Sequence, residues 1–427
     1  MKKAIVLILS LCVSLSLLGC DLFGTTAATT TTTTAPDETV YDLADAASLS
    51  AIDPAKNYRL VADIDLGGVE WTPIGTEAAP YSGDFDGNGH TVSNFVITVP
   101  GNHFLGFFAV VTGTVADLWL EDVTIDVTSN KRIYAGVLAG SVSGNLSGIT
   151  VANASVTVAN QGGSTYAGLL AGSILSPGTD ASNATDPATF VPTAVSDCQA
   201  EGILIVASEL FTYAGGLFGQ TFNVTLTDCY ATAHITASAE TNRVYAGGLS
   251  GHNYGGFLLS YGDTLEGDPY LRILRCQAAV SLSVVSSGTQ ASVGGFFGYD
   301  GGGFVEDGIV LVDIAASGTL LYVGGFAGES WDEAVTDSVV RIAVDIPTSE
   351  GQTLHYGGIT GFLKDETLLT RAFYHLDSPA SPMVEGGTGV LLADLQDSLW
   401  YQTTFGWTAL RGDAASLLLG NPAFPGE

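Results

Sequence analysis

The sequence predicts an all-β fold: a right-handed parallel β-helix, a solenoid of three-strand coils of about 30 residues each, with a cap at both ends. Three observations lead there. A glycine-rich phrase recurs at a near-constant period. No 3.6-residue apolar period runs through any repeat unit. The composition favours small and β-branched residues, with 54 Gly and only 2 Met in 427 residues, which suits stacked strands and not helix bundles.

The chain opens with MKKAIVLILSLCVSLSLLGC. Lys2 and Lys3 form a positive start, and Ala4 to Leu18 is an apolar stretch too short for a comfortable membrane span. Leu17-Leu18-Gly19-Cys20 resembles the bacterial lipobox, which implies cleavage before Cys20 and acylation of its thiol. Residues 1–20 are therefore expected to be a lipoprotein signal peptide, with Cys20 the membrane anchor. Each buried CH₂ of an acyl chain adds about 0.8 kcal/mol to anchoring. Residues 21–40 hold a Thr-rich tether. Its core, TTAATTTTTTAP at 25–36, has no apolar period and cannot pack. Fully extended, those residues reach about 40 Å.

Charge excludes one class of partner. There are 13 Lys+Arg against 44 Asp+Glu, and removing residues 1–20 moves the formal charge from −31 to −33. Such a field repels phosphate backbones, so no nucleic-acid partner is expected. It also repels anionic lipid heads, so membrane attachment needs the covalent lipid.

The repeat reads YAGVLAG at Tyr134–Gly140, YAGLLAG at Tyr166–Gly172, YAGGLFG at Tyr213–Gly219, YAGGLSG at Tyr245–Gly251, SVGGFFG at Ser292–Gly298, YVGGFAG at Tyr322–Gly328 and YGGITGF at Tyr356–Phe362. His103–Ala109 is a degenerate first copy. Successive starts from Tyr134 lie 32, 47, 32, 47, 30 and 34 residues apart, so a unit is about 31 residues and two units carry an insertion. Within a unit the expected strands are Tyr213–Gly219, Val224–Tyr230 and His234–Ala237. One such unit cannot bury both faces, so units must stack, with equivalent residues about 4.8 Å apart. Strand twist and right-handed crossovers set the hand. The domains follow: lead-in coils and a cap over 41–102, repeats over 103–388, and a C-terminal cap over 389–427. Leu43–Ile52 has helical spacing suited to the first cap, and Gly389–Leu399 to the second.

The phrase GG-hydrophobic-x-G, followed by Asp228-Cys229-Tyr230-Ala231-Thr232, resembles the GLUG motif of bacterial surface proteins. Tyr58–Leu66, Trp71–Gly75 and Phe85–Val92 resemble the coils that commonly precede it. The resemblance covers roughly residues 40–410. It implies a β-helical, adhesin-like surface module, and says little about activity.

Several constellations bear on chemistry. Cys198, Cys229 and Cys276 share one slot in three successive coils, which reads as a ladder of buried free thiols. Asp84-Phe85-Asp86-Gly87-Asn88-Gly89 begins like a calcium loop, but the position that should close it is Phe95. A tight turn, with Asn88-Gly89 as a hairpin-type pair, is the plainer reading. Calcium is the one ion this acidic loop would suit. No cofactor is otherwise implied. Arg411-Gly412-Asp413 is a chance match to an adhesion tripeptide.

The two long units place insertions at about Ser173–Pro192 and His252–Tyr270. Loops on a rigid scaffold are where recognition concentrates. The second offers His252, Tyr254, Tyr261, Asp263, Glu266, Asp268 and Tyr270, aromatic and acidic groups suited to stacking on sugars and holding their hydroxyls. Two functions stand side by side. One is a lipid-anchored binding, adhesion or structural module of the envelope, monomeric, contacting a glycan or a neighbouring cell surface. The other is a polysaccharide lyase or glycoside hydrolase on the same scaffold. A lyase needs a basic cluster, for which Arg272 and Arg275 are the nearest candidates, and a hydrolase needs a carboxylate pair.

Overall fold

The computed structural model describes residues 39–99, 103–177, 192–254, 272–331, 333–347, 349–363, 368–377, 387–395 and 403–404. Those residues form a parallel β-helix. A broad sheet of 21 strands makes one side, and two eight-stranded sheets make the other. The pairings between coils are parallel, as in Thr212–Gly215 on Arg243–Gly247, where Tyr213 meets Tyr245, and the register shifts at Val151/Ala154 and at Asp65/Val69.

One coil shows how the sequence folds. Thr212–Gly215 lies in the first narrow sheet, here the tyrosine sheet. The chain bends at Gly216-Leu217, and Phe218–Phe222 lies in the second narrow sheet, here the buttress sheet. Val224–Thr227 and Tyr230–Ala239 then run through the broad sheet. A coil therefore has four strands and not the expected three. The repeat phrase is a corner between two sheets, and the last strand is ten residues long because its alternation continues unbroken. In Gln199–Ser208 buried and exposed residues alternate throughout, the period-2 signature of a strand with one face on the core.

The bend between the two broad-sheet strands is made by one residue in the left-handed region. Asp117, Asp197, Asp228, Arg275, Asp307, Asp337 and Arg371 occupy it in stacked coils, with φ between 50° and 56°. Asp tolerates this conformation better than most residues. The two arginines are held by the acid one coil below: Arg275 makes two bonds to Asp228, at 2.9 and 2.7 Å, and Arg371 pairs with Asp337. The Asn88-Gly89 turn belongs to this corner too. Asn88 has φ 51° and Gly89 φ 72°, but the flanking strands pair with neighbouring coils and not with each other. The expected tight turn is present, with His90 N–H donating to Gly87 O at 2.8 Å, as a corner between parallel strands and not as a hairpin.

The glycine that closes each phrase is required by contact. A Cβ on Gly219 would lie 2.4 Å from the backbone N of Ala167 in the coil below, and one on Gly172 would lie 2.5 Å from that of Ala135. No real side chain tolerates such distances. The buttress sheet thus presses directly on the tyrosine sheet of the previous coil.

The N-terminal end differs from expectation. Val40–Leu43 is a strand paired with Asn57–Leu60, and only Ala46–Leu49 is helical. Asp45 and Ser48 form a capping box there, with Ser48 N–H donating to Asp45 Oδ1 at 2.8 Å, and Leu49 is buried against the core. At the other end Leu392–Leu395 is helical with Leu395 buried. Among the described residues no helix is long and apolar enough to cross a membrane.

Candidate functional surface

The outer side of the bend between the narrow sheets is a seam built from two rows. The first is the opening slot of the repeat phrase. Phe104, Tyr134, Tyr166, Tyr213 and Tyr245 stack ring on ring, with centroids 4.9, 4.7, 4.4 and 5.4 Å apart and planes within 13°. The row continues through Ser292, Tyr322 and His355. Register corrects the sequence alignment at both ends: Phe104, not His103, opens the row, and His355, not Tyr356, takes the last slot. Tyr356 instead faces the interior, 1% exposed.

The second row lies on the buttress sheet, seven residues beyond each slot from Tyr134 onward: Ser141, Ser173, Gln220, His252, Tyr299, Glu329 and Phe362. That fixed offset is the signal by which sequence reading could have found it, and did not. The rows fill each other. His252 stands edge-on to Tyr213 and Tyr245, each at 5.6 Å, and stacks on Tyr299 at 4.7 Å. Burial lowers its imidazole to about 4, so it is neutral at ordinary pH. Where Ser292 interrupts the rings, Glu329 closes the gap. Its carboxylate accepts from Gln290 Nε2 at 2.7 Å and from Trp331 Nε1 at 3.2 Å. Arg132 and Arg243 flank the row, and Arg243 Nη1 donates to Tyr245 OH at 3.0 Å.

These positions revise the predicted binding set. His252 and Tyr254 are not loop residues; both lie in the strand Ser250–Tyr254. His252 is packed in the seam, and Tyr254 has one face against Phe222 at 4.7 Å. Tyr261, Asp263, Glu266, Asp268 and Tyr270 lie outside the described residues, as does Cys20. The first insertion also starts later than expected, because Ser173 to Leu175 belong to the strand Ala171–Leu175.

The strands show where both insertions leave. The first follows Ala171–Leu175 and returns at Thr193–Ser196; the second follows Ser250–Tyr254 and returns at Arg272–Leu274. Ala171–Leu175, Phe218–Phe222 and Ser250–Tyr254 are consecutive in the buttress sheet. Both insertions therefore leave at one corner, about 10 Å apart in height. Between them the uninserted coil turns tightly at Asn223, φ 54°.

The remaining constellations resolve as packing. Cys198, Cys229 and Cys276 are buried and free, as expected. Their thiols bond to nearby carbonyls, Cys198 Sγ to Ser196 O at 3.2 Å for example, and burial pushes Cys198 and Cys276 well up. Arg275 is committed to Asp228. Asp86 Oδ1 accepts from the backbone N–H of Asn88 at 2.7 Å, the local bond of an Asx turn. Among the described residues no group of three or more His, Cys, Asp or Glu side chains is placed to hold a metal. A cleft of about 440 Å³, with both polar and apolar lining, lies at the N-terminal end, between Leu49, Ser50, Leu66, Glu70, Trp71 and Thr72. The acid on its rim, Glu70, is taken up by Thr98, whose hydroxyl donates to Oε2 at 2.7 Å; these bonds hold its carboxyl below the usual range.

No family model matches the chain. It is 34% identical over 110 residues to a protein of Evansella cellulosilytica named as a Gly-rich membrane protein, a match covering 24% of this chain and 12% of that one. It is 30% identical over 146 residues to halomucin of Haloquadratum walsbyi, covering 30% of this chain and 2% of halomucin. The chain thus spans a small part of the relatives it matches. Among solved structures, a Bacteroides ovatus protein named as an immunoglobulin A1 protease aligns over 86% of this chain and 88% of its own, with 16% identity and a TM-score of 0.42.

Proposed function

We propose that the chain is a lipid-anchored envelope protein of the GLUG type, whose β-helix displays a binding surface at one corner. The observation that carries this reading is the shared exit of both insertions from the buttress sheet. The coils are bound to their glycine contacts and ring stacks, so they have little freedom to vary. The insertions escape that constraint. The Ser, Thr and Asp of the first and the Tyr, Asp and Glu of the second suit sugar hydroxyls and ring faces. The lipobox at Cys20 and the membrane-protein name of one partial relative support the envelope reading.

Replacing residues 255–271 by a short Gly-Ser linker tests the surface. Circular dichroism should be unchanged, because strands on either side are held by other coils, while binding to a glycan array or to cells falls. Unchanged binding would place recognition elsewhere. The anchor has its own test: Cys20→Ala should move the protein out of the detergent phase, and equal recovery there would remove the lipid from the proposal.

A further inference from the structure

One interior row, eight residues beyond each tyrosine slot, changes character along the axis. It reads Val142, Ile174, Thr221, Asn253, Asp300, Ser330 and Leu363, in register from coil to coil. Polar residues thus run through four successive coils of this row, which is apolar in the coils before and after them. Thr221 Oγ1 donates to Asn253 Oδ1 at 2.6 Å. This fixes the amide so that Asn253 Nδ2 donates to Asp300 Oδ1 at 2.7 Å. There the chain of bonds stops. Asp300 Oδ2 and Ser330 Oγ are both buried without a protein partner, though their residues meet in register about 4.8 Å apart. Asp300 is 1% exposed and Ser330 fully buried.

An ionised carboxylate in such a place needs a cation. The strand below turns Asn253 to Asp300, while its titratable His252 sits in the outer seam and Tyr254 against Phe222. The strand above presents Ser330, while its Glu329 is held by Gln290 and Trp331. Tyr299, on Asp300's own strand, is in the seam as well. In the adjoining broad-sheet strands Arg272 and Glu306 are exposed, and Ile273 and Val305 are the buried residues. The groups that act on Asp300 are neutral: the Asn253 amide and the backbone N–H of Gly302.

We propose that Asp300 is a proton switch built into the solenoid: a neutral acid whose proton on Oδ2 is directed at Ser330 Oγ, and whose ionisation loosens the corner between Ser250–Tyr254 and Phe297–Asp300. Burial raises its carboxyl from 3.8 to about 7. A raised value means that the stabilisation is complete below the unfolded carboxylate value and is lost as pH climbs through about 7. His252, lowered from 6.5 to about 4, acts in the opposite direction between those values, so the two groups oppose each other below about pH 6.5 and only Asp300 acts above it.

The test uses the full chain. Thermal midpoints of the parent should fall between about pH 6.5 and about pH 8.5, above the window in which His252 opposes the effect. Asp300→Asn, a permanently neutral isostere, should flatten that slope. The infrared band of a protonated carboxyl should be present in the parent at the lower pH, absent at the higher, and missing from D300N at both. Parallel pH profiles, or no band that D300N removes, would overturn the proposal. Should D300N fail to fold, Ser330→Ala decides. Removing the acceptor of the proton should shift loss of the band to lower pH. A shift to higher pH would mean that Ser330 serves the ionised form, and the switch would be wrong.

Discussion

The lower and upper halves of the seam satisfy one backbone with two chemistries. From Phe104 to Tyr245 five rings stack without interruption. Above them Ser292 breaks the row, and the Glu329 carboxylate, Gln290 and Trp331 fill the gap with hydrogen bonds. The strand register does not change across the break. The coil therefore does not depend on tyrosine as such. It depends on something filling the concave corner, and on the glycines that let the sheets approach. The residues of the seam therefore differ in how much their loss should matter.

The largest effect belongs to the glycines shared by both halves. Gly219→Val should cost more than about 3 kcal/mol, because backbone and not a movable side chain blocks the new atoms. Urea unfolding checks this, and a small change would mean the two sheets are further apart than described. Next comes the middle of the ring stack. Tyr166→Ala removes a half-buried ring stacked on both faces and should cost about 2–4 kcal/mol. Glu329→Ala in the upper half removes one of the two acceptors of the Gln290 amide and the acceptor of Trp331 Nε1, and should cost about 1–3 kcal/mol. If Glu329→Ala exceeds Tyr166→Ala, hydrogen bonds and not rings hold the seam. His252 sharpens the contrast by pH. Its neutral form is favoured by folding, so stability should fall as pH drops from 6.5 toward about 4, and His252→Phe should remove that part of the acid sensitivity. The smallest effect is expected at the thiols. Cys229→Ala should cost about 1 kcal/mol, and a thiol reagent should label Cys198, Cys229 and Cys276 only as the chain unfolds.

Much of the fold was legible because the repeat is written in residues whose physics is local. The glycine phrase marked one corner of each coil, and the shared cysteine slot marked one interior row. What escaped was register. A one-residue slip at His103 and at Tyr356 cannot be seen in single-letter similarity, since His, Phe and Tyr all look like aromatic openers. Only pairing with Tyr134 and Tyr322 decides it. The candidate site was less legible. His252 and Tyr254 read as loop residues because the repeat phrase ends at Gly251, whereas the strand runs on to Tyr254. The buttress row and the polar interior row were hidden because each holds chemically unlike residues, related only by their offset from the tyrosine slot.

The parallel register also sets how the molecule would answer to force. Bonds between coils run along the solenoid axis, and each coil is held only by the coils above and below it. Pulling on the ends would not stretch a coil but peel it, one turn at a time, from an end. A turn of about 31 residues shortens the stack by about 4.8 Å and releases roughly 100 Å of chain. Under load such a protein would act as a ratcheted reserve of length, yielding in discrete steps while the coils that remain keep their shape.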